Sequence, residues 1–116
     1  MIILFFLIDY PESQAALANT KTINSNNYKY KIALRFELYY KGIELANGYD
    51  ELINPKILLN RFENDLKKRE EQGLPQVPID YKLIEATQNN KMPKCSGVAL
   101  GLDRLIALIL NKNQIS

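Results

Sequence analysis

Two hydrophobic periods alternate along the chain, and each change of period marks a predicted element. The run Met1–Ile8 is continuously apolar and rich in Ile and Phe, which predicts a strand buried on both faces with a neighbour on each side. It is much shorter than the ~20 residues of a membrane-spanning helix and lacks the basic start of a signal peptide. Ser13–Ala18 favours a short helix, and the polar stretch Thr20–Asn27 favours an exposed loop. The chain is therefore expected to open inside a sheet.

The hydrophobic pattern has a period of two over residues 32–52, which predicts a β-hairpin. The strands Arg35–Tyr40 and Ile43–Asn47 are separated by Lys41-Gly42, which fits a two-residue loop. This hairpin carries several acidic side chains and is the first candidate for a functional site.

Helical spacing then governs most of the remaining chain. Asn54 and Pro55 fit the N-cap and first position of a helix that runs to Gln72 and is stopped by Gly73. Asp80 can cap a second helix. The last two elements are a small-residue strand at Ser96–Gly101 and an apolar helix at Leu102–Leu110. The predicted fold class is α/β (α+β), an antiparallel sheet flanked by helices in one domain over residues 1–116.

Composition narrows the possible chemistry. The chain has 116 residues, of which 47% are hydrophobic and 24% charged, as in an ordinary globular domain. The net charge of +2 is too small to argue for nucleic acid or an anionic membrane. There is no histidine, and Cys95 is the single cysteine, which excludes an internal disulfide, most zinc sites and Ser-His or Cys-His nucleophiles. Any chemistry must use carboxylates, arginine, the backbone and a bound metal.

Three glutamates lie seven residues apart on the hairpin: Glu37, Glu44 and Glu51. The two-residue loop pairs Tyr39 with Glu44 and makes Glu37 a diagonal neighbour on the same face. Two carboxylates so placed repel each other unless a cation lies between them, and Mg²⁺ suits hard oxygen ligands. A bulge at Asn47-Gly48 would bring Glu51 to that face. The alternative is three solvent-facing glutamates, which is the commoner hairpin pattern.

Alternating small residues form the second candidate. Gly97, Ala99 and Gly101 would share one flat strand face, and Arg104 in the next turn could reach a phosphate or a base. The opposite face is predicted to be core and carries Val98, Leu100 and Leu102. The alternative is a tightly packed crossover, with Asp103 as the helix cap and Arg104 on the surface.

Three ordered segments together resemble one known family. GVALGLDR (97–104) resembles motif 3 of class II aminoacyl-tRNA synthetases, and RFELYYKGIELANGYDEL (35–52) resembles the hairpin of their lysine-specific branch. YYKGIELANG, RFENDLKKREEQGLPQVPID and CSGVALGLDRL are most similar to the elongation factor P–lysine ligase family. The resemblance runs from about Ile8 to Leu110. Because nothing in Met1–Tyr30 resembles motifs 1 and 2, the chain is expected to be the C-terminal part of such a catalytic domain.

The resemblance implies an ATP and metal site. Glu37 and Glu44 match the magnesium-binding carboxylates, and Glu44 with Leu45 borders ATP. Gly101 matches an ATP-contacting glycine, and Arg104 the motif 3 arginine that holds the nucleotide and acts in catalysis.

The resemblance also implies an amino-acid site. Glu51 matches the carboxylate that binds the side-chain amine of a lysine-type substrate, and Asn47 and Gly48 match positions that line the pocket. Ala99 lies between the two glycines of motif 3, where its methyl group is expected to influence substrate choice.

The implied function is an ATP-dependent ligase that activates lysine or β-lysine as an adenylate and transfers it to a lysine of elongation factor P. The family implies a cytoplasmic homodimer with ATP and Mg²⁺, without tRNA as acceptor and without a membrane partner. Two alternatives stay open, a C-terminal fragment of a true lysyl-tRNA synthetase and a non-catalytic remnant. Ala99 and the wording YYKGIELANG argue against the first. Without the motif 2 arginine, the chain by itself is expected to be inactive.

Overall fold

The structure, a computed structural model, describes residues 3–112, which form two compact units. One unit comprises the residues up to Asp50 and from Ser96 onward, and the other comprises Glu51–Cys95. The strands are β1 (Leu4–Pro11), β2 (Thr20–Ser25), β3 (Tyr28–Tyr40), β4 (Ile43–Asp50) and β5 (Ser96–Leu100). The helices are α1 (Pro55–Glu71), α2 (Tyr81–Thr87) and α3 (Leu102–Ile109).

All strands of the first unit join one antiparallel sheet. The order is β1-β3-β4-β5, and β2 also pairs with β3. β3 is the longest strand because its 13 residues pair with three others. The predicted mixed α/β class, with an antiparallel sheet and helices, is confirmed.

The β3–β4 hairpin has the predicted two-residue loop. Tyr40 pairs with Ile43 and Tyr39 with Glu44. Lys41 and Gly42 take φ values of 51° and 73°. Positive φ at both positions matches the twist of the two strands, and glycine supplies it without steric cost.

The segment Thr20–Asn27 is not the loop that its polarity predicts. It forms β2 and a tight turn at Asn26-Asn27, whose φ values are 44° and 70°. Asparagine tolerates the left-handed region, so the pair can serve as a hairpin turn. A hairpin that is solvated on both sides needs no apolar alternation, which explains why its strand pattern was missed.

Residues 4–8 of the predicted strand Met1–Ile8 lie in β1, and its first two residues lie outside the described residues. The environment of β1 differs from the prediction. Among residues 3–112 it pairs only with β3, so it lies at an edge of the sheet. Its large side chains are also exposed, by 61% at Phe6 and 59% at Ile8. A run of apolar residues indicates the propensity for a strand, but it does not show whether other surfaces cover that strand. Here the described residues cover neither face of this part of β1.

The apolar face of β5 is likewise exposed, although it was predicted to be core. Val98 and Leu100 are 65% and 52% exposed, and Leu102, which lies in α3 and not in the strand, is 61% exposed. An open groove of about 490 Å³ runs along this side of the sheet and includes Val98, Ile8 and Phe36 in its lining. The alternation of small and large residues predicts which side of the strand is apolar, but it does not show whether that side is covered.

The core of the first unit lies on the other face of the sheet. Tyr10, Ala15 and Ala33 are packed together and buried. The predicted helix at Ser13–Ala18 is instead a single 3₁₀ turn at Glu12–Gln14. The chain after this turn brings small side chains over the sheet, which buries the Tyr10 ring.

The second unit contains the two capped helices. The Asn54 side chain accepts hydrogen bonds from the N–H groups of Lys56 and Ile57 at the start of α1, and Gly73, with φ of 69°, follows its end. The Asp80 side chain accepts from the Leu83 N–H at the start of α2. These caps confirm the predicted helix starts. Across residues 3–112, no helix is both long and apolar enough to cross a membrane.

The cap of α1 gives a direct stability prediction. Asn54→Ala leaves two N–H groups at the helix start without their acceptor, and we expect it to lower the free energy of unfolding by about 1 kcal/mol. Asn60→Ala removes the same side chain from an exposed position inside α1 and should be neutral or slightly stabilising. Denaturant unfolding followed by circular dichroism compares the two variants. Equal effects would show that the Asn54 cap contributes nothing particular.

Candidate functional site

The register of three strands brings the candidate residues of the first unit onto one face of the sheet. Glu37 on β3 lies opposite Asn47 on β4, and Asn47 lies opposite Ala99 on β5. Tyr39 lies opposite Glu44. Paired residues on antiparallel strands point to the same side. The sheet therefore carries both predicted carboxylates and the small-residue strip on one surface, which we call the site face.

A β-bulge at Leu45 makes this arrangement possible. Leu38 pairs with Ala46 while Tyr39 pairs with Glu44, so Leu45 is an extra residue in β4. The bulge was predicted two residues later, at Asn47-Gly48, where the pairing is instead regular. The extra residue puts Glu44 and Asn47, three positions apart, on the same face.

Two hydrogen bonds attach the motif 3 segment to this bulge. The Gly101 N–H donates to the Leu45 carbonyl at 2.8 Å, and Arg104 Nη1 donates to the Glu44 carbonyl at 2.8 Å. A Cβ atom on Gly101 would lie 3.5 Å from both the Leu45 oxygen and Arg104 Cδ, which is an ordinary van der Waals distance, so this contact does not by itself require glycine. Arg104 is thus held beside Glu44, and not on the far surface of α3.

Glu37 is an ionised carboxylate in a network of donors. Its Oε1 accepts from Arg35 Nη2 at 2.6 Å, and its Oε2 accepts from the Tyr39 hydroxyl at 2.5 Å. Burial alone would raise the pKa of Glu37, but the hydroxyls of Tyr39 and Tyr10 and the positive charge of Arg35 outweigh it and lower the pKa. Glu37 therefore carries its negative charge at neutral pH.

Arg35 is the hub of this network and was not among the residues predicted from sequence. Its Nη1 donates to the Gln14 carbonyl at 2.7 Å, and its Nη2 donates to Glu37 and, at 2.9 Å, to Asn47 Oδ1. Its side chain is only 9% exposed. The spacing of Arg35 and Glu37, two apart on a strand, was the sequence signal that could have identified the pair.

Aromatic rings hold the guanidinium on both sides. Arg35 Cζ lies 4.5 Å from the centroid of the Tyr10 ring and 5.1 Å from that of Tyr49. Such stacking is electrostatically favourable and stronger where water is excluded. Nothing in the sequence connects Tyr10 with Tyr49, because the contact depends on the pairing of β1 and β4 with β3.

The Tyr10 hydroxyl is buried close to Glu37 but completes no hydrogen bond of good geometry with the described residues. Burial and the negative charge of Glu37 raise the pKa of Tyr10 well above its usual value. The hydrogen bond to Glu37 also raises the pKa of Tyr39, with a further contribution from the charge of Glu44. Both carboxylates thus act on the Tyr39 hydroxyl.

The residues of the site face fit a magnesium ion in part. Glu37 is ionised, Glu44 acts on the same hydroxyl as Glu37, and carboxylate oxygens are the ligands that Mg²⁺ prefers. Both oxygens of Glu37 already accept one hydrogen bond, and each keeps a second lone pair. Within residues 3–112 no three side chains of Asp, Glu, Cys or His form a cluster, so phosphate oxygens and water would have to complete the coordination.

Glu51 and Gly48 are the two other residues predicted to contact the substrate. Glu51 is the first residue of the second unit, where its N–H donates to the Cys95 carbonyl at 3.0 Å. Gly48 pairs with Phe36, and a Cβ atom there would collide with the Phe36 ring on the opposite face of the sheet. The glycine is therefore needed for packing, and only the backbone of Gly48 is available to the site face.

Comparison with known proteins identifies what the chain is similar to. The family model described as tRNA synthetases class II (D, K and N) matches residues 2–116. The chain is 54% identical over 110 residues to a Vibrio parahaemolyticus protein named elongation factor P--(R)-beta-lysine ligase, covering 95% of this chain and 32% of that protein. It is 49% identical over 111 residues to a Yersinia enterocolitica protein of the same name, covering 96% and 32%. The resemblance to this ligase family is confirmed, and the chain spans about a third of the length of these relatives.

The buried tyrosine predicts a loss of stability in alkali. Because the pKa of Tyr10 is higher in the folded chain, its contribution is complete below the ordinary tyrosine pKa of about 10 and is lost as pH rises above that value. We expect Tyr10→Phe to reduce the fall in unfolding free energy above pH ~10. Tyr28→Phe, at a tyrosine that is 75% exposed, is the matched control. Identical pH profiles for Tyr10→Phe and the unsubstituted chain would contradict this assignment.

Proposed function

The chain belongs to the class II tRNA synthetase family of the D, K and N type, and we propose that it forms part of the catalytic site of an ATP-dependent ligase. The proposed ligase activates lysine or β-lysine as an adenylate and transfers it to a lysine of elongation factor P. The names of the relatives from Vibrio and Yersinia support this choice over a tRNA-charging enzyme. As in that family, we propose a cytoplasmic homodimer that does not use tRNA as acceptor.

One observation carries the proposal. Arg104 and Glu44, which are 60 residues apart in sequence, are joined by a hydrogen bond from the guanidinium to the Glu44 carbonyl. The bond brings the Arg104 guanidinium to the backbone of Glu44, a residue whose side chain lies on the same face of the sheet as Glu37 and Asn47. Positive and negative groups held together in this way can bind a nucleotide through its phosphates on one side and a cation on the other.

The chemistry of adenylate formation requires such groups. The carboxylate of the amino acid attacks the α-phosphorus of ATP and pyrophosphate leaves, so two anions must approach each other. Mg²⁺ would neutralise phosphate charge when bound, and Glu44 and Glu37 are the residues that would hold it. Arg104 would hold the phosphates and the adenine, and the backbone at Leu45 and Gly101 would lie beside the nucleotide.

The remaining residues would define the amino-acid pocket. Asn47 and Ala99 are paired across the site face, so one substrate could contact both. Glu51 would bind the side-chain amine as a charge-assisted partner, and Gly48 would contribute its backbone. Lysine carries an amine on the carbon next to its carboxylate, whereas β-lysine carries it one carbon further out. Ala99 would therefore be a position at which the pocket distinguishes the two isomers.

The experiment uses a hybrid ligase, because the chain corresponds to about a third of its relatives. In the hybrid, the Vibrio parahaemolyticus ligase carries this chain in place of its own matching segment. We expect amino-acid-dependent exchange of pyrophosphate into ATP, and we expect Glu44→Gln and Arg104→Gln each to lower kcat by roughly 10²–10³-fold. Glu63→Gln, at an exposed position of α1, should leave the rate unchanged.

The result can also go against the proposal. A folded hybrid that shows no exchange with either lysine isomer would overturn it. Unchanged exchange in both Glu44→Gln and Arg104→Gln would show that the activity does not use these residues. Transfer of the radiolabelled amino acid to purified elongation factor P, measured with the same hybrid, tests the acceptor separately from the activation step.

The Ala99 methyl group gives a prediction on substrate choice. It lies opposite Asn47 on the site face and occupies space that glycine would leave open. A change of one methyl group in a pocket is worth about 1–3 kcal/mol of discrimination. We expect Ala99→Gly in the hybrid ligase to shift the ratio of kcat/KM towards α-lysine by roughly tenfold or more. An unchanged ratio would mean that Ala99 only packs the strand.

A further inference from the structure

We propose that Arg35 is a positioning residue that fixes the orientation of the Asn47 side-chain amide, so that Asn47 acts only as a donor towards bound substrate. The inference rests on the proposed function, which places Asn47 in the substrate pocket. It assigns a role to Arg35 and a donor role to Asn47, neither of which the family resemblance implies. The substrate group that Asn47 recognises would then be an oxygen acceptor and not an ammonium.

The orientation follows from the chemistry of the guanidinium. Arg35 Nη2 lies 2.9 Å from the Asn47 side-chain oxygen. A guanidinium has only donors, whereas a side-chain amide has an acceptor oxygen and a donor nitrogen. The alternative amide rotamer would place the Asn47 NH₂ group against the donors of Arg35. Oδ1 must therefore face Arg35, and Nδ2 must point away from it.

Arg35 itself has little freedom to turn away. Its other terminal nitrogen donates to the Gln14 carbonyl at 2.7 Å, and its plane lies between the rings of Tyr10 and Tyr49. Its side chain is 9% exposed, so leaving the cluster would break several contacts at once. Because these contacts hold the guanidinium in place, its hydrogen bond to Oδ1 can fix the orientation of the Asn47 amide.

The same Nη2 atom also donates to Glu37 at 2.6 Å. One guanidinium nitrogen therefore connects the proposed metal side of the site with the proposed amino-acid side. Lysine has a single ammonium without the planar fork and cannot hold the Gln14 carbonyl, Glu37 and Asn47 in the same geometry. The exchange Arg35→Lys keeps the charge and removes the positioning.

The test uses the hybrid ligase at saturating Mg²⁺. Arg35→Lys is expected to raise the KM for the amino acid by roughly tenfold, because one hydrogen bond to a charged partner is lost and the amide can rotate. The KM for ATP should stay within about twofold, since uniform damage would raise both. Asn47→Asp keeps an acceptor for Arg35 but removes the donor, and should raise the same KM to a similar extent.

The double variant and its control decide between positioning and simple packing. If Arg35 acts through Asn47, Arg35→Lys adds little further loss of amino-acid affinity in the Asn47→Asp background. Arg69→Lys, at an arginine whose side-chain partner is the exposed Asp65, should change neither KM. Additive effects, a fully tolerated Asn47→Asp, or equal rises in both KM values would overturn the inference. Absence of exchange in the unsubstituted hybrid would instead refute the proposed function.

Discussion

The bulge at Leu45 is the constraint on which the site face depends. Without it, Leu45 would pair with Leu38, and Asn47 and Tyr49 would point to the opposite side of the sheet from Glu44. Leu45 is the extra residue of β4, and it is buried. A buried carbonyl needs a donor, and the Gly101 N–H supplies it at 2.8 Å. The irregularity that orients β4 is thus also the attachment point of the motif 3 segment.

Charge within the site face is balanced locally. Arg35 and Glu37 are 9% and 13% exposed, and a buried ion pair is stable only if its remaining hydrogen-bonding groups are satisfied. Tyr39 and the Gln14 carbonyl provide two of these partners. Arg35 Nε has no hydrogen-bond partner among the described residues. Glu37 is nevertheless held ionised on the face of the sheet that also carries Glu44, whose backbone carbonyl accepts from the exposed Arg104.

Local chemistry explains which features could be predicted from the sequence. The caps at Asn54 and Asp80 and the turn at Lys41-Gly42 depend on residues within a few positions of each other, and the structure has them where expected. The predicted position of the bulge is wrong. Glu44 and Glu51 are an odd number of residues apart, which shows only that one extra residue is needed between them to bring both onto one face. The position of the extra residue depends on contacts between segments that are far apart in sequence, such as the hydrogen bond from the Gly101 N–H to the Leu45 carbonyl.

Burial was the least predictable property, for a physical reason. The apolar side of β5 and residues 4–8 of β1 have the composition of core strands, yet Val98 is 65% and Phe6 61% exposed among the described residues. Composition reports what a face can bury, whereas burial depends on which surfaces meet. Arg35 shows the converse case. A charged residue is usually expected at the surface, but two tyrosines, one carboxylate and one amide bury it. Three of these four partners lie on other strands, so the pattern of its own strand could not predict them.

The contacts between β3, β4 and the motif 3 segment determine how the site face would respond to substitutions. On the site face, Arg35 on β3 donates to Asn47 on β4, and Arg104 donates to the backbone of β4. A displacement of β4 would therefore affect the Asn47 amide and the motif 3 arginine together. Glu44 illustrates this coupling, because its backbone holds Arg104 while its side chain acts on Tyr39. Substitutions that shift the β3–β4 register should therefore affect the proposed nucleotide and amino-acid sites jointly, whereas substitutions at single side chains can separate them.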